Sequence, residues 1–433
     1  MKRQLITLTA ACLLVAGIGA SAKAADTTWT GNAGNDNWGD PGNWSDGVPS
    51  DANGAIINLS DVSFGDPDTI TVDQDYVGLL GTKIMGGTGK TTVLDLNGHT
   101  LEFLVYSQIY RSVPADSTLE ITGAAGSVLS LPHNNVQTFY RNQRDGDPVE
   151  DAEVIVSGQA TAEFQGFQWL GYNQVCHEAN VRLTVKEQGT VTNLAGKTFR
   201  MATTAGEGGV GPIRGFITVQ DQGTLQTNLD LGNPAPDSGQ SETVLFTVVG
   251  ADATVDLGSL SFNAGTLNPV IDDLADFSTL SVGALTLGSG VELDVDLDGV
   301  TPAQDTIYDI IAYTGSRTGT FTLAAEDATD WAILYDDVNK KIQAKYLVSS
   351  VILGDVNGDG VVDGLDIQPF VDLLTGGGYQ AEADINADAV VDGLDIQPFV
   401  DIITGAGGNP VPEPATLALL AIGGLGMLRR RTR

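Results

Sequence analysis

The segments "TVKEQGTV" (residues 184–191) and "TVQDQGTL" (residues 218–225) are near-copies that lie 34 residues apart. Each is typical of the end of one strand, a tight turn and the start of the next strand. Both contain an apolar residue, then three others, then a small residue and a threonine. This pattern recurs, with spacings of 29, 34 and 30 residues, at Val156 with Thr161, Val185 with Thr190, Val219 with Thr224, and Val249 with Thr254.

The sequence from residue 26 to about residue 350 is typical of β-structure throughout. Short alternating runs such as "AEVIVSG", "VRLTV", "GFITVQ" and "VELDVDL" are broken by Gly, Asn and Asp. One strand-turn-strand unit cannot bury its own apolar face, whereas stacked copies can. The repeats therefore predict a mainly β body, a parallel β-helix or related β-solenoid. The alternative is an antiparallel sandwich or barrel array.

Both ends of this body contain aromatic segments. Trp29, Trp38 and Trp44 occur among turn residues at the start. They predict a cap over the first turn of the solenoid, because an open end needs covering. The alternative is that the rings stack on sugars. The start and the segment 307–347 resemble parts of cell-surface β-repeat proteins, including autotransporter passengers, and in that resemblance the later segment forms the closing strands.

The run "VVDGLDIQPFVD" occurs twice, at residues 361–372 and 390–401. With the residues before it, each copy matches a twelve-residue EF-hand-type calcium loop, in which oxygen ligands alternate around one hard cation. Gly360 occupies position 6 of the first loop and Ala389 that of the second. A left-handed backbone at position 6 would cost Ala about 1–2 kcal/mol relative to Gly, which predicts a weaker second site. Positions 1, 3, 5, 7 (through its carbonyl), 9 and 12 are Asp355, Asn357, Asp359, Val361, Asp363 and Asp366 in the first loop, and Asp384, Asn386, Asp388, Val390, Asp392 and Asp395 in the second.

An amphipathic helix is predicted after each loop. Apolar residues follow at i, i+3, i+4 and i+7, so that they share one face of a helix. The unit is therefore doubled because two helices can bury each other's stripes. The stripes are Ile367, Phe370, Val371 and Leu374 in the first copy, and Ile396, Phe399, Val400 and Ile403 in the second.

A pair of loop-helix units without entering helices, with Asp at position 12, resembles the type I dockerin domain. The resemblance implies a small all-α domain whose two calcium ions are held by the loop residues named above. It also implies a cohesin-like or other protein partner. Cohesin-binding dockerins often have Ser or Thr at positions 10 and 11, but both copies here have Gly-Leu. Leu365 and Leu394 either anchor an apolar partner surface or pack in the core.

Both termini contain targeting segments. Lys2 and Arg3 precede an apolar run, which predicts a secretory signal peptide over residues 1–24. Near the other end, Pro412-Glu413-Pro414 is followed by an uncharged run, residues 415–428, and then by four arginines. Fourteen residues span about 21 Å as a helix, which makes a marginal, transient membrane insertion. This arrangement resembles the PEP-CTERM sorting signal, which implies processing by an exosortase-type membrane peptidase.

Charge and cysteine content exclude several classes of function. Residues 25–414 contain 55 acidic residues against 14 basic ones. Such a polyanion repels nucleic acid and anionic lipid surfaces. The mature chain keeps one cysteine, Cys176, so that no internal disulfide forms. Cys176 and His177 are adjacent, but two ligands alone do not predict a metal site.

Signatures of catalysis are incomplete. "IMGGTGKTT" has Ile84 where a phosphate-binding loop needs its first glycine. His99, His133 and His177 are the three histidines, and none lies in a catalytic motif. The strongest enzyme hypothesis is a polysaccharide lyase or hydrolase on the β-helix, by fold analogy. Arg141 and Arg144, clustered with acids, would serve it, although a solvated loop is the favoured interpretation.

The domain prediction is a signal peptide (1–24), a β-solenoid body (25–350), a dockerin-like calcium-binding domain (351–408) and a sorting segment (409–433). These parts predict a secreted, non-catalytic protein of the cell surface or extracellular matrix. It would be attached or assembled through the calcium-dependent module and the sorting tail. The alternative is a carbohydrate-active or carbohydrate-binding protein, with a polysaccharide as its partner, delivered by the same module.

Overall fold

The computed structural model describes residues 26–58, 68–85, 89–104, 108–109, 117–131, 137–138, 150–164, 168–170, 179–193, 197–202, 213–233, 242–275, 277–348 and 352–404. The chain divides into two compact units, Met1–Leu347 and Val348–Arg433. The predicted signal peptide and the predicted sorting segment both lie outside the described residues.

The first unit is built from short strands. A 3-10 helix, Pro41–Asn43, follows the first of them. The strands up to the middle of this unit are β1 (Thr27–Thr28), β2 (Ala55–Asn58), β3 (Asp68–Thr71), β4 (Tyr76–Leu79), β5 (Thr82–Met85), β6 (Thr91–Asp95), β7 (Thr100–Phe103), β8 (Gln108–Ile109), β9 (Ser117–Thr122), β10 (Val128–Leu131), β11 (Gln137–Thr138), β12 (Glu150–Val156), β13 (Thr161–Phe164), β14 (Gln168–Leu170), β15 (Ala179–Val185), β16 (Thr190–Asn193) and β17 (Phe199–Met201). The later strands are β18 (Ile213–Val219), β19 (Thr224–Leu231), β20 (Glu242–Val249), β21 (Thr254–Phe262), β22 (Gly265–Ile271), β23 (Leu280–Leu287), β24 (Val291–Leu293), β25 (Asp296–Leu297), β26 (Ile307–Tyr313), β27 (Arg317–Thr318), β28 (Thr322–Leu323), β29 (Trp331–Asp336) and β30 (Lys341–Tyr346).

These strands stack into parallel sheets that run along the unit. One sheet runs from β3 through β6, β9, β12, β15, β18, β20, β22 and β24 to β28, and a second runs from β4 through β7, β10, β13, β16, β19, β21 and β23 to β26. A shorter sheet contains β1, β2, β5, β8 and β11. The predicted β-solenoid is therefore confirmed, and the antiparallel sandwich or barrel is wrong.

The sequence repeat coincides with the register of stacking. Val156 pairs with Val185, which pairs with Val219. The threonines of the repeat also form one ladder, Thr161–Thr190–Thr224–Thr254. The fourth valine differs from the prediction, because Val219 pairs with Val248 and not with Val249. That turn therefore contains one more residue than the other three.

The small residue of the repeat is required because successive turns approach closely. A Cβ added to Gly189 would lie 2.3 Å from the carbonyl oxygen of Val156 in the turn below. We expect Gly189→Ala to destabilise the solenoid by about 1–3 kcal/mol, because backbone cannot move aside as a flexible side chain can. Chemical denaturation of the mature chain measures this. Gln188→Ala, at the adjacent exposed residue, is the control, and an equal loss in both variants would contradict the close-packing argument.

The tryptophans at the start of the body form a buried cap. Trp29, Trp38 and Trp44 are all less than 5% exposed. The ring of Trp44 packs edge-on against both of the others, at centroid distances of 5.1 and 4.9 Å, and its Nε1 donates to the Trp38 carbonyl oxygen. The cap is confirmed, and the alternative of sugar stacking is wrong for these rings because their faces are covered by protein.

The other end of the body changes strand direction. Strand β26 pairs with β30 in antiparallel fashion, and β30 pairs with β29 in the same way. Trp331 packs against Tyr308 and Tyr346, with centroid distances of 6.2 and 5.0 Å. These strands close the second sheet within the segment 307–347, where closing strands were predicted.

The second unit contains two helices in its described residues, α1 (Ile367–Gly376) and α2 (Ile396–Ile403). Phe370 and Phe399 are stacked between them, with ring centroids 4.0 Å apart and planes 10° apart. Helix α1 ends at Gly377, whose φ of 71° provides the left-handed cap that ends many helices. The two helices are short, and each begins directly after one of the two predicted calcium loops.

Candidate functional site

The first loop is organised by two buried carboxylates at its ends. Asp355 is 5% exposed and Asp366 is fully buried. The Asp355 carboxylate accepts hydrogen bonds from the backbone N–H groups of Gly358 and Gly360, at 2.9 and 2.8 Å. Asp366 reaches back across the loop and accepts from the N–H groups of Asn357 and Asp363, at 2.9 and 2.8 Å. The two carboxylates therefore hold the loop closed from both ends.

The side chains between them also turn into the loop. Asn357 donates from Nδ2 to Asp359 Oδ2 at 2.9 Å and accepts at Oδ1 from the Asp359 N–H at 2.8 Å. Asp363 accepts from the Leu365 N–H at 2.7 Å. The side chain of Val361 is 58% exposed, as expected if only its carbonyl serves the loop. The structure thus brings the predicted residues of positions 1, 3, 5, 9 and 12 together in one hydrogen-bonded loop.

The second loop repeats this arrangement. Asp384 accepts from the Ala389 N–H at 2.8 Å, and Asp395 accepts from the N–H groups of Asn386 and Asp392 at 3.0 and 2.9 Å. The side chain of Asn386 donates to Asp388 Oδ2 at 3.0 Å. Asp384 and Asp395 are buried like their counterparts, and Val390 is exposed.

These carboxylates have no basic residue to pair with in their own segment. Residues 352–404 contain no Lys and no Arg. Burying a carboxylate costs free energy unless it is paired or binds a metal, and backbone N–H groups supply only part of the compensation. Asp and Asn oxygens in this alternating pattern are the donor set that Ca²⁺ prefers. The donor set and its burial therefore fit a calcium ion.

The acidic side chains accept N–H hydrogen bonds from their own loops. In the described part of the chain, no three His, Cys, Asp or Glu side chains form a group placed to hold a metal ion. Each carboxylate has about four lone-pair sites, so that accepting N–H hydrogen bonds leaves sites for a cation.

The second loop contains two strained residues. Ala389 has a φ of 67° and Ala387 a φ of 57°, whereas the matching residues of the first loop are Gly360 and Gly358. Left-handed backbone is disfavoured for Ala by about 1–2 kcal/mol relative to Gly. This strain lowers the stability of the folded second loop. The backbone condition for a weaker second site is therefore met.

We expect Ala389→Gly to tighten calcium binding at the second loop by about two- to fivefold. Glycine removes the strain, although its extra freedom before folding offsets part of the gain of about 1 kcal/mol. Calorimetric titration of the variant measures this change. Gly360→Ala is the matched substitution in the first loop, and it should weaken that site. Unchanged affinity in both variants would contradict the strain argument.

The helices bury only part of the predicted apolar stripes. Phe370 and Phe399 lie in the core, and Leu374 and Ile403 pack against it. The stripe residues Ile367, Val371, Ile396 and Val400 are instead 41–48% exposed. The prediction that the two stripes bury each other is therefore wrong for half of each stripe.

Other apolar residues complete the core on the opposite side of the helices. Val356 and Ile385 occupy position 2 of the two loops, and Val391 occupies position 8 of the second. Ala383, just before the second loop, is fully buried. Sequence reasoning missed these residues, although apolar residues at positions 2 and 8 of both loops were a usable signal.

The leucines at position 11 of the two loops are exposed. Leu365 is 68% and Leu394 is 67% exposed, and the Leu365 N–H is held by Asp363. Of the two alternatives for these residues, packing in the core is wrong. Both side chains are accessible to a partner.

A second acidic cluster lies on the solenoid. Asp294 is surrounded by Asp296, Asp327, Glu326 and Glu292, and burial together with these like charges raises its pKa to about 6. Asp327 is 8% exposed and accepts a hydrogen bond from the Val295 N–H, and burial raises its pKa as well. The like charges of this cluster repel one another, and we infer no ligand from them.

Asp294 is expected to make the body less stable as the pH rises. Its pKa is raised on folding, so the folded protein holds this proton more tightly, and stability falls between pH about 4 and 6. Asp294→Asn should therefore raise the melting temperature by about 1–3 °C at pH 7 and leave it unchanged at pH 4. Thermal melts at the two pH values measure the difference. Asp298→Asn, at a nearby exposed carboxylate, is the control, and the same rise in that variant would contradict the assignment.

Most of the other predicted candidates lie outside the described residues. They are His133, Arg141, Arg144, Cys176 and His177. His99 is described, and its Nδ1 lies 3.5 Å from an oxygen of Asp75 on the surface. This contact adds no second catalytic group.

No helix in the described ranges is long and apolar enough to cross a membrane. The predicted membrane-inserting run, residues 415–428, lies outside those ranges.

Residues 410–431 match the family model of the PEP-CTERM protein-sorting motif. No curated protein and no solved structure matches the chain. The matched motif marks the chain for secretion to the cell surface and is consistent with exosortase-type processing.

Proposed function

We propose that this secreted surface protein is a non-catalytic β-solenoid attached or assembled through a calcium-dependent, dockerin-like adaptor. The body serves as a stalk, and residues 352–404 bind a protein partner. The sorting tail directs the chain to the membrane peptidase that processes it.

The observation that carries this proposal is the pair of matching loops. Asp355 and Asp366 in the first, and Asp384 and Asp395 in the second, are buried carboxylates without a Lys or Arg in their segment. Each pair closes its loop through backbone N–H groups. A divalent cation in each loop would neutralise this charge, so that binding and folding are coupled. When bound, Ca²⁺ supplies positive charge and cross-links the loop.

The calcium ligands are the side chains of Asp355, Asn357, Asp359, Asp363 and Asp366 with the Val361 carbonyl, and in the second loop those of Asp384, Asn386, Asp388, Asp392 and Asp395 with the Val390 carbonyl. The second site is the weaker one because of Ala389.

The partner surface is apolar. Leu365 and Leu394 replace the hydroxyl residues that cohesin-binding dockerins often have, and both are exposed. A cohesin-like module with an apolar contact face, or another protein of the same surface chemistry, fits these residues. Burying the exposed two thirds of these two leucines would contribute about 2–4 kcal/mol before the cost of association.

Calcium titration of residues 347–410 tests the proposal. Calorimetry counts the sites, and circular dichroism in the same samples follows the helices. We expect two binding events accompanied by a gain of helix, with little response to Mg²⁺ at equal concentration. Binding at one loop alone would remove the second site, and the absence of both heat and helix gain would overturn the adaptor.

A further inference from the structure

A solvent-facing apolar groove runs between α1 and α2. Its floor is the Phe370–Phe399 stack, and its rims are Ile367 and Val371 on one side and Ile396 and Val400 on the other. The cavity has a volume of about 270 Å³. The four rim residues are each more than 40% exposed. We call this surface the helix groove. It is large enough to receive a few aliphatic side chains.

The unit that forms the helix groove is acidic. Residues 352–404 contain 11 Asp and Glu residues, and the sequence has no Lys or Arg between Lys345 and Arg429. A second copy of this unit would bring carboxylates against carboxylates, without a basic residue from either helix pair to offset the repulsion. An apolar occupant with positive charge beside it matches the groove better.

The chain contains such a segment close by in sequence. Residues 415–428 are uncharged and rich in Leu and Ala, and Arg429, Arg430, Arg431 and Arg433 follow them. Ten residues, 405–414, connect the end of the described α2 region to this run. Fully extended, they span about 33 Å. Helix α1, with ten residues, is about 15 Å long, so that the linker can reach any point of the groove.

We propose that, before the sorting tail is processed, its apolar run occupies the helix groove, with the arginines attracted by the net negative charge of the same unit. Cleavage of the tail then uncovers the groove, which makes this apolar surface available only after sorting. A short tether gives an effective concentration in the millimolar range, so that even weak affinity keeps the tail in place. The groove and a membrane would bury the same apolar side chains of the tail. The tail therefore leaves the groove when it enters a membrane.

Labelling of a single cysteine in the groove tests this proposal. Cys176→Ser and Val400→Cys are introduced into the chain without its signal peptide, and maleimide labelling is compared with that of the same variant ending at residue 409. Calcium is present throughout. We expect labelling to be about tenfold slower in the full chain, which corresponds to a local Kd about tenfold below the effective concentration. Val338→Cys, at a residue 91% exposed on the solenoid, is the control and should label equally at both lengths.

A second pair of substitutions separates a specific occupant from general shielding. Leu419→Asp with Leu420→Asp in the full chain should restore rapid labelling of Val400→Cys, because charged residues cannot enter the groove. Equal labelling of the full and shortened chains would overturn the proposal. Protection that grows with protein concentration would also overturn it, in favour of a second copy as the occupant.

The proposal rests on the folded helix pair of the proposed adaptor, and circular dichroism of residues 347–410 checks this pair separately. Rapid labelling with the helices present contradicts the tail as occupant and leaves the adaptor intact. Absence of the helices in calcium overturns both.

Discussion

Asp366→Ala is expected to abolish calcium binding at the first loop and to lower the stability of the calcium-loaded second unit by about 2–5 kcal/mol. The Asp366 carboxylate is fully buried and accepts from two backbone N–H groups, those of Asn357 and Asp363. Alanine leaves both donors without this acceptor, at about 1–3 kcal/mol each. It also removes the proposed ligand of position 12, which would close the loop around the ion. Calorimetry of residues 347–410 should therefore detect one site instead of two.

A matched control lies six residues further on. Asp372 is an exposed carboxylate of α1 that accepts a hydrogen bond from Gln368 Nε2 at 2.8 Å. Asp372→Ala changes the charge by the same amount but should keep both sites and change stability by less than about 0.5 kcal/mol. Two intact sites in Asp366→Ala would refute the loop assignment. An equal loss in both variants would indicate that net charge, and not ligation, controls binding.

The architecture of the body was predictable because its repeat is spatially simple. In a parallel solenoid, equivalent residues of neighbouring turns lie directly above one another, so a sequence repeat becomes a ladder. The valine and threonine ladders show this at three successive turns. The fourth valine was misplaced because Val248 and Val249 are both apolar. The extra residue of the turn then decides which of them enters the ladder.

The burial of the tryptophans was predictable for a related reason. A stack of turns has two ends, each of which exposes apolar residues unless something covers it. Three tryptophans at one end supply a large apolar area over a short length of chain. The alternative of sugar stacking failed because edge-to-face packing among the three rings leaves no ring face open to solvent.

The helix groove was not predictable from the helical stripes alone. An apolar stripe shows that a helix face is suited to burial, but not which other elements compete to cover it. Here Val356, Ala383 and Val391 fill the space beneath Phe370 and Phe399. The helices therefore rest on the loops, and Val371 and Val400 face outwards. Which face of each helix is buried depends on contacts with segments that are remote in sequence.

Phe399→Ala is expected to unfold the second unit, with a loss of about 3–5 kcal/mol. The ring of Phe399 stacks on that of Phe370 at 4.0 Å, and the two are the largest side chains of a core with five buried apolar residues. This core includes Val356 of the first loop and Val391 of the second, so that the loss of the ring, unlike the loss of one loop carboxylate, should remove calcium binding at both loops.

A substitution at the adjacent residue, which is apolar but exposed, tests whether burial causes the loss of stability. Val400 is 42% exposed on the rim of the helix groove, and Val400→Ala should cost less than about 1 kcal/mol. Thermal melts of residues 347–410 in saturating calcium compare the two variants. A larger loss in Val400→Ala than in Phe399→Ala would place the core on the outer side of the helices. The helix groove would then be a buried surface, unable to receive the sorting tail.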